Sequence, residues 1–350
     1  MGMVHPRGKP TLAELRSHIL GFRGARRGDV ILGPGIAVDS AVVDCSGVRI
    51  ALKGDPITGA IAEIGRLAVI VPSNDVAAAG GLPRWLTVIL LLPTNMSIED
   101  ARLIMDCIDA EARRSGIAIV GGHTEFTDNV LYPIVCSFVS GVIDRILDPK
   151  NIKPGDIIVI TKTVAMEATV IIASDLAEDV EKVFGRDFKA RCISMRNRLS
   201  IISEARAALT VDSVVAMHDL TEGGLLAGVV ELAEASNLGF IIYEDKIPVA
   251  EETRLLCSYF GLDPLKAISS GSLLIVVRPD GLNRLRDSLS MLGVGYSEIG
   301  LFTDDPDRRV ILAGDGVRRV EPPDRDDLWK LMDRIRGCRL QANGRMEMDT

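Results

Sequence analysis

Carboxylates recur beside glycine, or at the ends of apolar runs, along most of this chain. Asp39 lies in Gly33-Pro34-Gly35-Ile36-Ala37-Val38-Asp39-Ser40-Ala41, Asp55 in Lys53-Gly54-Asp55-Pro56, and Asp75 in Ser73-Asn74-Asp75-Val76-Ala77-Ala78-Ala79-Gly80-Gly81. Glu125 ends Gly121-Gly122-His123-Thr124-Glu125, and Asp219 opens onto Leu220-Thr221-Glu222-Gly223-Gly224 directly after His218. Glycine lets backbone approach a ligand closely and leaves amide N–H groups free to face phosphate. Carboxylates supply the hard oxygens with which Mg²⁺ bridges phosphates. Together these patterns predict a nucleoside triphosphate site assembled from several loops.

Each group also has a structural reading. Ser73, Asn74 or Asp75 can cap a helical turn after Pro72. Asp219 can cap the helix that Gly223-Gly224 opens, or place metal and phosphate at that helix N-terminus. His218 is a proton shuttle or a packed strand-end residue, and Lys53 a phosphate contact or a solvated lysine. His123 and Glu125 have the His-x-Glu form, yet no further His or Cys stands at zinc spacing, so Glu125 is read as an Mg²⁺ ligand and His123 as a loop residue. Neither a Gly-x-x-x-x-Gly-Lys-Ser/Thr loop nor a Gly-x-Ser-x-Gly elbow is present. A dinucleotide fingerprint in the right strand–helix context is missing as well.

The elements that must position these residues alternate along the chain. A short amphipathic helix is predicted over 11–20, then strands over 29–32, 39–44 and 48–52. Residues 58–80 have helical spacing interrupted at Pro72, followed by a strand over 85–92 and a helix over 97–115 begun by Ser97 and Asp100. Strands over 117–120 and 131–143 flank the Gly121-Gly122 loop. After a polar stretch, 144–155, come strands over 156–161, 213–217, 239–243, 272–277 and 297–302. Between them lie helices over 166–181, 191–209, 222–236, 251–260 and 282–292. A last helix over 325–336 carries Leu328, Leu331, Met332 and Ile335 on one stripe, with Gly337 as its stop and 338–350 as a loose tail. The pattern predicts an α/β or α+β chain in two domains, 1–150 and 151–320, with a C-terminal helix and tail, 321–350.

Composition narrows the partners. The chain has 350 residues, 47% hydrophobic and 25% charged, with a net charge of −8. An acidic chain is a poor partner for nucleic acid or an anionic membrane, which basic surface attracts. The most apolar run, 86–92, has strand length and stops at Pro93, far short of a membrane span. With no apolar leader region at its start, the chain is expected to be cytoplasmic. Six scattered cysteines without a Cys-x-x-Cys pair read as reduced thiols.

These motifs resemble those of the aminoimidazole-ribonucleotide (AIR) synthetase-like, or PurM-like, superfamily of ATP-binding proteins. The stretch from Gly35 to Val43 is similar to its Gly-x-x-Asp-Asp-Ala-Ala-Val motif, with Val38 in place of the first acid and Asp39 as the second. Asn74-Asp75 through Gly81 is similar to Asn-Asp-Leu-Ala-x-x-Gly-Ala, and Gly121-Gly122-His123-Thr124 to its Gly-Gly-(acid/His)-Thr loop. His218 through Gly224 is similar to Asp-Pro-Thr-Arg-Gly-Gly, with Leu220 for proline and Glu222 for arginine. The stretch from Glu231 to Val249 most resembles the hydrogenase-maturation branch.

The resemblance implies an N-terminal four-stranded sheet that closes a barrel across a homodimer, and a C-terminal α/β domain over a cleft for ATP and Mg²⁺. It implies Asp39, Asp55, Asp75 and Glu125 for metal and phosphate, and His218, read above as a proton shuttle, and Asp219 are the candidate catalytic groups. Asp39, Lys53, Asp55, Asn74, Asp75, Gly121, Gly122, Thr124, Gly223 and Gly224 would hold the nucleotide. The implied chemistry is activation of an amide or acid oxygen by ATP on a small-molecule or protein-tail substrate. A small-molecule kinase similar to thiamine-monophosphate kinase, or a nucleotide-binding scaffold without turnover, are the alternatives. The maturation branch works through a C-terminal cysteine. Here the sequence given ends Met346-Glu347-Met348-Asp349-Thr350 with Cys338 internal, so terminal-cysteine chemistry is not expected of it.

Overall fold

The computed structural model describes residues 7–314 and 316–346, with side chains through residue 336. Thr11 and Glu14 form a capping box that starts α1 (Leu12–Glu14), which runs into a π turn, Leu15–Ile19. Then follow β1 (Val30–Leu32), β2 (Ala41–Cys45), β3 (Val48–Ile57), α2 (Ile64–Ala78) and β4 (Gly81–Pro93). The first half ends with α3 (Ile98–Ser115), β5 (Ala118–Thr127) and β6 (Ile134–Ile143). The strands form one sheet in the order β1-β2-β3-β6-β4-β5, antiparallel except for the β4–β5 pair, which α3 connects. Four long strands, β3, β6, β4 and β5, make the body of this sheet, and two short ones extend one edge.

Three local expectations are corrected here. The Lys53-Gly54-Asp55-Pro56 segment is not a loop but the second half of β3, paired with β6. Pro56 is tolerated because β2 pairs only with residues 48–52, so no ladder bond is lost on that side. Gly121-Gly122 likewise lies within β5 rather than between strands. Pro72 does not interrupt α2: the helix continues to Ala78, and the Ser73 hydroxyl donates to the Val69 carbonyl at 2.6 Å. Asp75 therefore sits in the last turn of a continuous helix and caps nothing.

The second half holds β7 (Ile157–Thr161), α4 (Met166–Asp175), α5 (Ala177–Phe184), α6 (Arg186–Ser194), α7 (Ile202–Leu209) and β8 (Val214–Asp219). It continues with α8 (Gly224–Ser236), β9 (Gly239–Tyr243), α9 (Glu251–Phe260), β10 (Leu273–Val277), α10 (Leu282–Met291) and β11 (Tyr296–Thr303). Last come β12 (Arg309–Ala313), β13 (Gly316–Arg319) and α11 (Asp327–Met346). The sheet order is β13-β12-β9-β11-β7-β10-β8. The helix expected over 166–181 is two, divided at Leu176, and the one expected over 191–209 is broken by a 3₁₀ turn, Met195–Arg198. Strands β12 and β13 escaped the sequence reading because arginines flank and interrupt their short apolar runs. Gly337 does not end α11, which passes through it; a helical glycine costs only about 1 kcal/mol. The side chain of Cys338 and all of residues 347–350 lie outside the described residues.

Helix α2 ties the halves together. It is apolar on nearly every side, with 13 of its 15 residues buried, as expected of a helix covered all round. Leu67 and Ile70 pack among α4 and α11 residues, Ala68 and Val69 against the first sheet, and Ala77 and Ala78 among β8 and α7 residues. This fixes its polar residues, Asn74 and Asp75, at the seam.

Candidate active site

A cavity of about 570 Å³ opens along that seam. It gathers Asp39 from the turn before β2, Lys53 and Asp55 from β3, Asp75 from α2, His218 and Asp219 from the end of β8, and Glu231 from α8. Alternation along β3 places Lys53 and Asp55 on one face of the sheet. The Lys53 ammonium donates to Asp75 Oδ1 at 2.8 Å and lies 3.5 Å from Asp55 Oδ1. His218 is buried between two acids, with Nδ1 2.6 Å from Asp39 Oδ1 and Nε2 2.8 Å from Glu231 Oε2.

Five carboxyls thus surround two embedded cations, Lys53 and His218, and burial together with these charges shifts the titration of Lys53, Asp75, His218, Asp219 and Glu231. Burial lowers the pKa of His218, but Asp39 and Glu231 outweigh it and hold the ring well above its usual value, as an imidazolium donating from both nitrogens. Burial also works against the Lys53 ammonium, and Asp75 and Asp55 reverse it, raising its pKa. Asp75 is nonetheless raised well above an ordinary carboxyl, by burial first and by nearby Asp219 second, against the pull of Lys53. Burial and Asp39 push Asp219 up to about 7. The two partners of the Lys53–Asp75 pair shift the same way because burial, with Asp219, raises Asp75 while Asp75 and Asp55 raise Lys53. The lysine stays charged, and a proton is retained among the carboxyls.

Such a site suits a hard divalent cation. Oδ2 of Asp55 and Oδ2 of Asp219 are buried without a hydrogen-bond partner, which is costly unless something else satisfies them. Ligand atoms of Asp39, His218 and Asp219 lie within 4.8 Å of one another. Both His218 nitrogens are occupied, so carboxylate oxygens remain, as Mg²⁺ prefers. Asp39, Asp55, Asp75 and Asp219 are the residues that fit it.

Other expected residues lie elsewhere. Asn74 does not line the cavity: its amide nitrogen donates to the Leu199 carbonyl at 2.9 Å, and its Oδ1 accepts from Ile201 N–H at 3.0 Å. Asn74 is a positioning residue that locks α2 to the turn before α7. Replacing it with Ala removes both bonds and orphans two buried backbone groups, so a loss of about 2–4 kcal/mol is expected in denaturant unfolding. Gly223 and Gly224 have φ of +84° and +62°, which glycine adopts freely. Their N–H groups do not face the cavity. That of Gly223 donates to Asp326 at 2.6 Å, and that of Gly224 to the Thr221 carbonyl at 3.0 Å. Gly121, Gly122, Thr124 and Glu125 are exposed on β5, at the sheet edge away from this chain's cavity. Sequence reasoning missed Glu231, Lys9, Thr221 and Glu167 as lining residues. The Lys9 ammonium donates to Thr221 Oγ1 at 2.9 Å, and its N–H to Glu222 Oε2 at 2.9 Å.

Two α+β halves around a cleft crowded with acids define a class suited to handling phosphorylated ligands. The chain belongs to the AIR synthase related proteins: the N-terminal domain of that family matches residues 37–143 and the C-terminal domain residues 153–313. A Methanocaldococcus jannaschii protein, named provisionally for hydrogenase expression and formation, is 29% identical over 75% of this chain and 76% of its own. Carbamoyl dehydratase HypE of Escherichia coli is 28% identical over 81% of this chain and 84% of its own. The crystal structure of hydrogenase maturation protein HypE in complex with ATP superposes with a TM-score of 0.68 at 22% identity, covering 91% of this chain and 94% of that one. At that identity the superposition speaks for the fold alone. Among the described residues, no helix is long and apolar enough to cross a membrane.

Proposed function

We propose that this chain is an ATP- and Mg²⁺-dependent enzyme of the HypE type, which uses ATP to activate the oxygen of an amide or acid. The observation that carries this reading is the convergence of Asp39, Asp55, Asp75 and Asp219 with Lys53 and His218 in the interdomain cavity. Bound there, Mg²⁺ would offset the charge of the triphosphate. Asp39 and His218 are braced by each other and by Glu231, so their geometry is set before ligand arrives. The names of the curated relatives favour a dehydratase over a thiamine-monophosphate-type kinase. Calorimetry with Mg-ATP tests the reading: binding in the micromolar range, lost when EDTA removes the metal, is expected. Absence of binding at millimolar nucleotide would sink it.

The functional unit is proposed to be a homodimer. The sheet face opposite α2 and α3 exposes Leu52, Trp85 and Phe138 together, neighbours across the β3–β6–β4 register. The free edge of β5, with Val120 and Phe126 also exposed, invites pairing with another strand. A second copy covering this face would bury both, and would bring His123 and Glu125 to the interface. Light scattering should report a dimer at micromolar concentration, and Phe138→Glu should shift it to a monomer. A monomeric parent would overturn the assignment.

A further inference from the structure

Among the described residues three cations line the cavity, and two of them are already engaged. Lys53 is bonded to Asp75, and His218 is held between Asp39 and Glu231. The third is Lys9, exposed at the mouth. Its ammonium has one acceptor among the described residues, the neutral hydroxyl of Thr221 at 2.9 Å, and forms no ion pair. An ammonium carries three donors, so two remain for a ligand. Its charge still belongs to the cavity. Burial acts to lower the pKa of Lys9, and Glu231, ahead of Glu222 and Asp75, reverses this against repulsion by Lys53.

What holds Lys9 there is a segment that comes first in the sequence but rides on the second half. Within residues 7–19, the Arg7 carbonyl accepts from Arg325 Nε at 2.8 Å, and the Arg7 guanidinium lies over the Trp329 ring, 4.5 Å from its centre. Leu12 packs against the core of the second half, and Arg16 pairs with Glu234 on α8 at 2.7 Å. Gly8 fits only as glycine. Its φ is +115°, and an added Cβ would meet Glu222 Oε2 at 3.2 Å and Trp329 Cδ1 at 3.3 Å. Beside it, Glu222 Oε2 accepts the Lys9 N–H. The superfamily motif has arginine where this chain has Glu222. An arginine could not accept that N–H and would repel the Lys9 ammonium. Glu222 and Lys9 thus fit each other, and the positive charge that the motif keeps at 222 stands here at 9.

We propose that Lys9 is a nucleotide contact, whose ammonium binds phosphate oxygens of Mg-ATP in place of the motif's arginine, and that residues 7–19 are the strap that positions it. The proposal rests on the Mg-ATP reading above and adds a residue to that site. Mg-ATP keeps a net negative charge, and Lys53 is committed to Asp75. A charge-assisted hydrogen bond is roughly twice as strong as a neutral one, so phosphate outcompetes the Thr221 hydroxyl for this donor. As a mere tether the ammonium would be redundant, because the Lys9 N–H bond to Glu222 and the Arg325 bond to Arg7 already hold the segment.

The test compares the full chain with Lys9→Met and Lys9→Arg by calorimetry with Mg-ATP. Loss of a charge-assisted contact should weaken binding by Lys9→Met on the order of 10- to 100-fold. Lys9→Arg keeps the charge and should recover most of the affinity. The ligand-free unfolding midpoint of both variants should match the parent, because the main-chain bond to Glu222 stays. Reductive methylation read by mass spectrometry locates the contact: saturating Mg-ATP should protect Lys9, and adenosine, which has no phosphate, should not. Parent-like Mg-ATP affinity in Lys9→Met overturns the proposal. So does a Lys9→Met protein that loses affinity together with its unfolding midpoint, which would make Lys9 a tether, and so does equal protection by adenosine. A parent that fails to bind Mg-ATP sinks the underlying reading and this proposal with it, whereas equal binding by parent and Lys9→Met sinks this proposal alone.

Discussion

Asp75→Asn should weaken Mg-ATP binding at least about 100-fold, roughly 2.7 kcal/mol, while leaving the ligand-free protein as stable as the parent or more so. The two effects have opposite signs for one reason. Without a cation, Asp75 belongs to an over-acidic buried cluster in which burial and Asp219 oppose its ionisation despite Lys53. A neutral amide of the same shape relieves that repulsion, and Lys53 keeps Asp55 as a counter-ion 3.5 Å away. With Mg²⁺ present the same carboxylate becomes a hard ligand that an amide replaces poorly. Calorimetry and thermal unfolding of the variant read both quantities. Parent-like Mg-ATP affinity would reduce Asp75 to a counter-ion for Lys53.

Mg-ATP affinity should also rise up to tenfold from pH 6 to pH 7 and level off above pH 8. Asp219, held at about 7 by burial and Asp39, keeps its proton below that pH. A metal ligand must release it, so binding is coupled to proton loss there and uncoupled above. The sign for folding is the reverse of the usual carboxylate case. Because the folded pKa lies above the unfolded value near 4, the native state binds the extra proton, and this group's contribution to ligand-free stability declines as pH rises from about 4 to about 7. Asp219→Asn should abolish the slope that remains after the nucleotide's own titration is subtracted. Calorimetry in two buffers of different ionisation enthalpy measures the released proton directly. An affinity that is flat from pH 6 to 8 in the parent would exclude Asp219 from the metal site.

Asp39, Asp55, Asp75 and Asp219 were legible as candidates because each stands in a local pattern, an acid beside glycine or at the end of an apolar run. Local pattern also marked the capping box that starts α3, where Ser97 and Asp100 exchange hydrogen bonds, and the strand and helix at 239–243 and 251–260. It could not rank the acids or say what surrounds them. Glu231 is one of two acids within an apolar helix, and Glu167 one acid in the first turn of another; neither has a signal in its neighbours. Their roles follow from contacts between distant segments, 179 residues apart for Asp39 and His218 and 103 for Glu167 and Ser270. The Asn74-Asp75 pair makes the point most sharply. The two are adjacent in sequence, but successive residues on a helix point about 100° apart. Packing of α2 between the halves therefore turned Asp75 into the cavity and Asn74 onto the 199–201 turn. The types of side chain able to do this chemistry were fixed by sequence. Which of them meet, which keep a proton and which merely hold the backbone depended on burial and on long-range contacts, which exist only once the two halves close around α2.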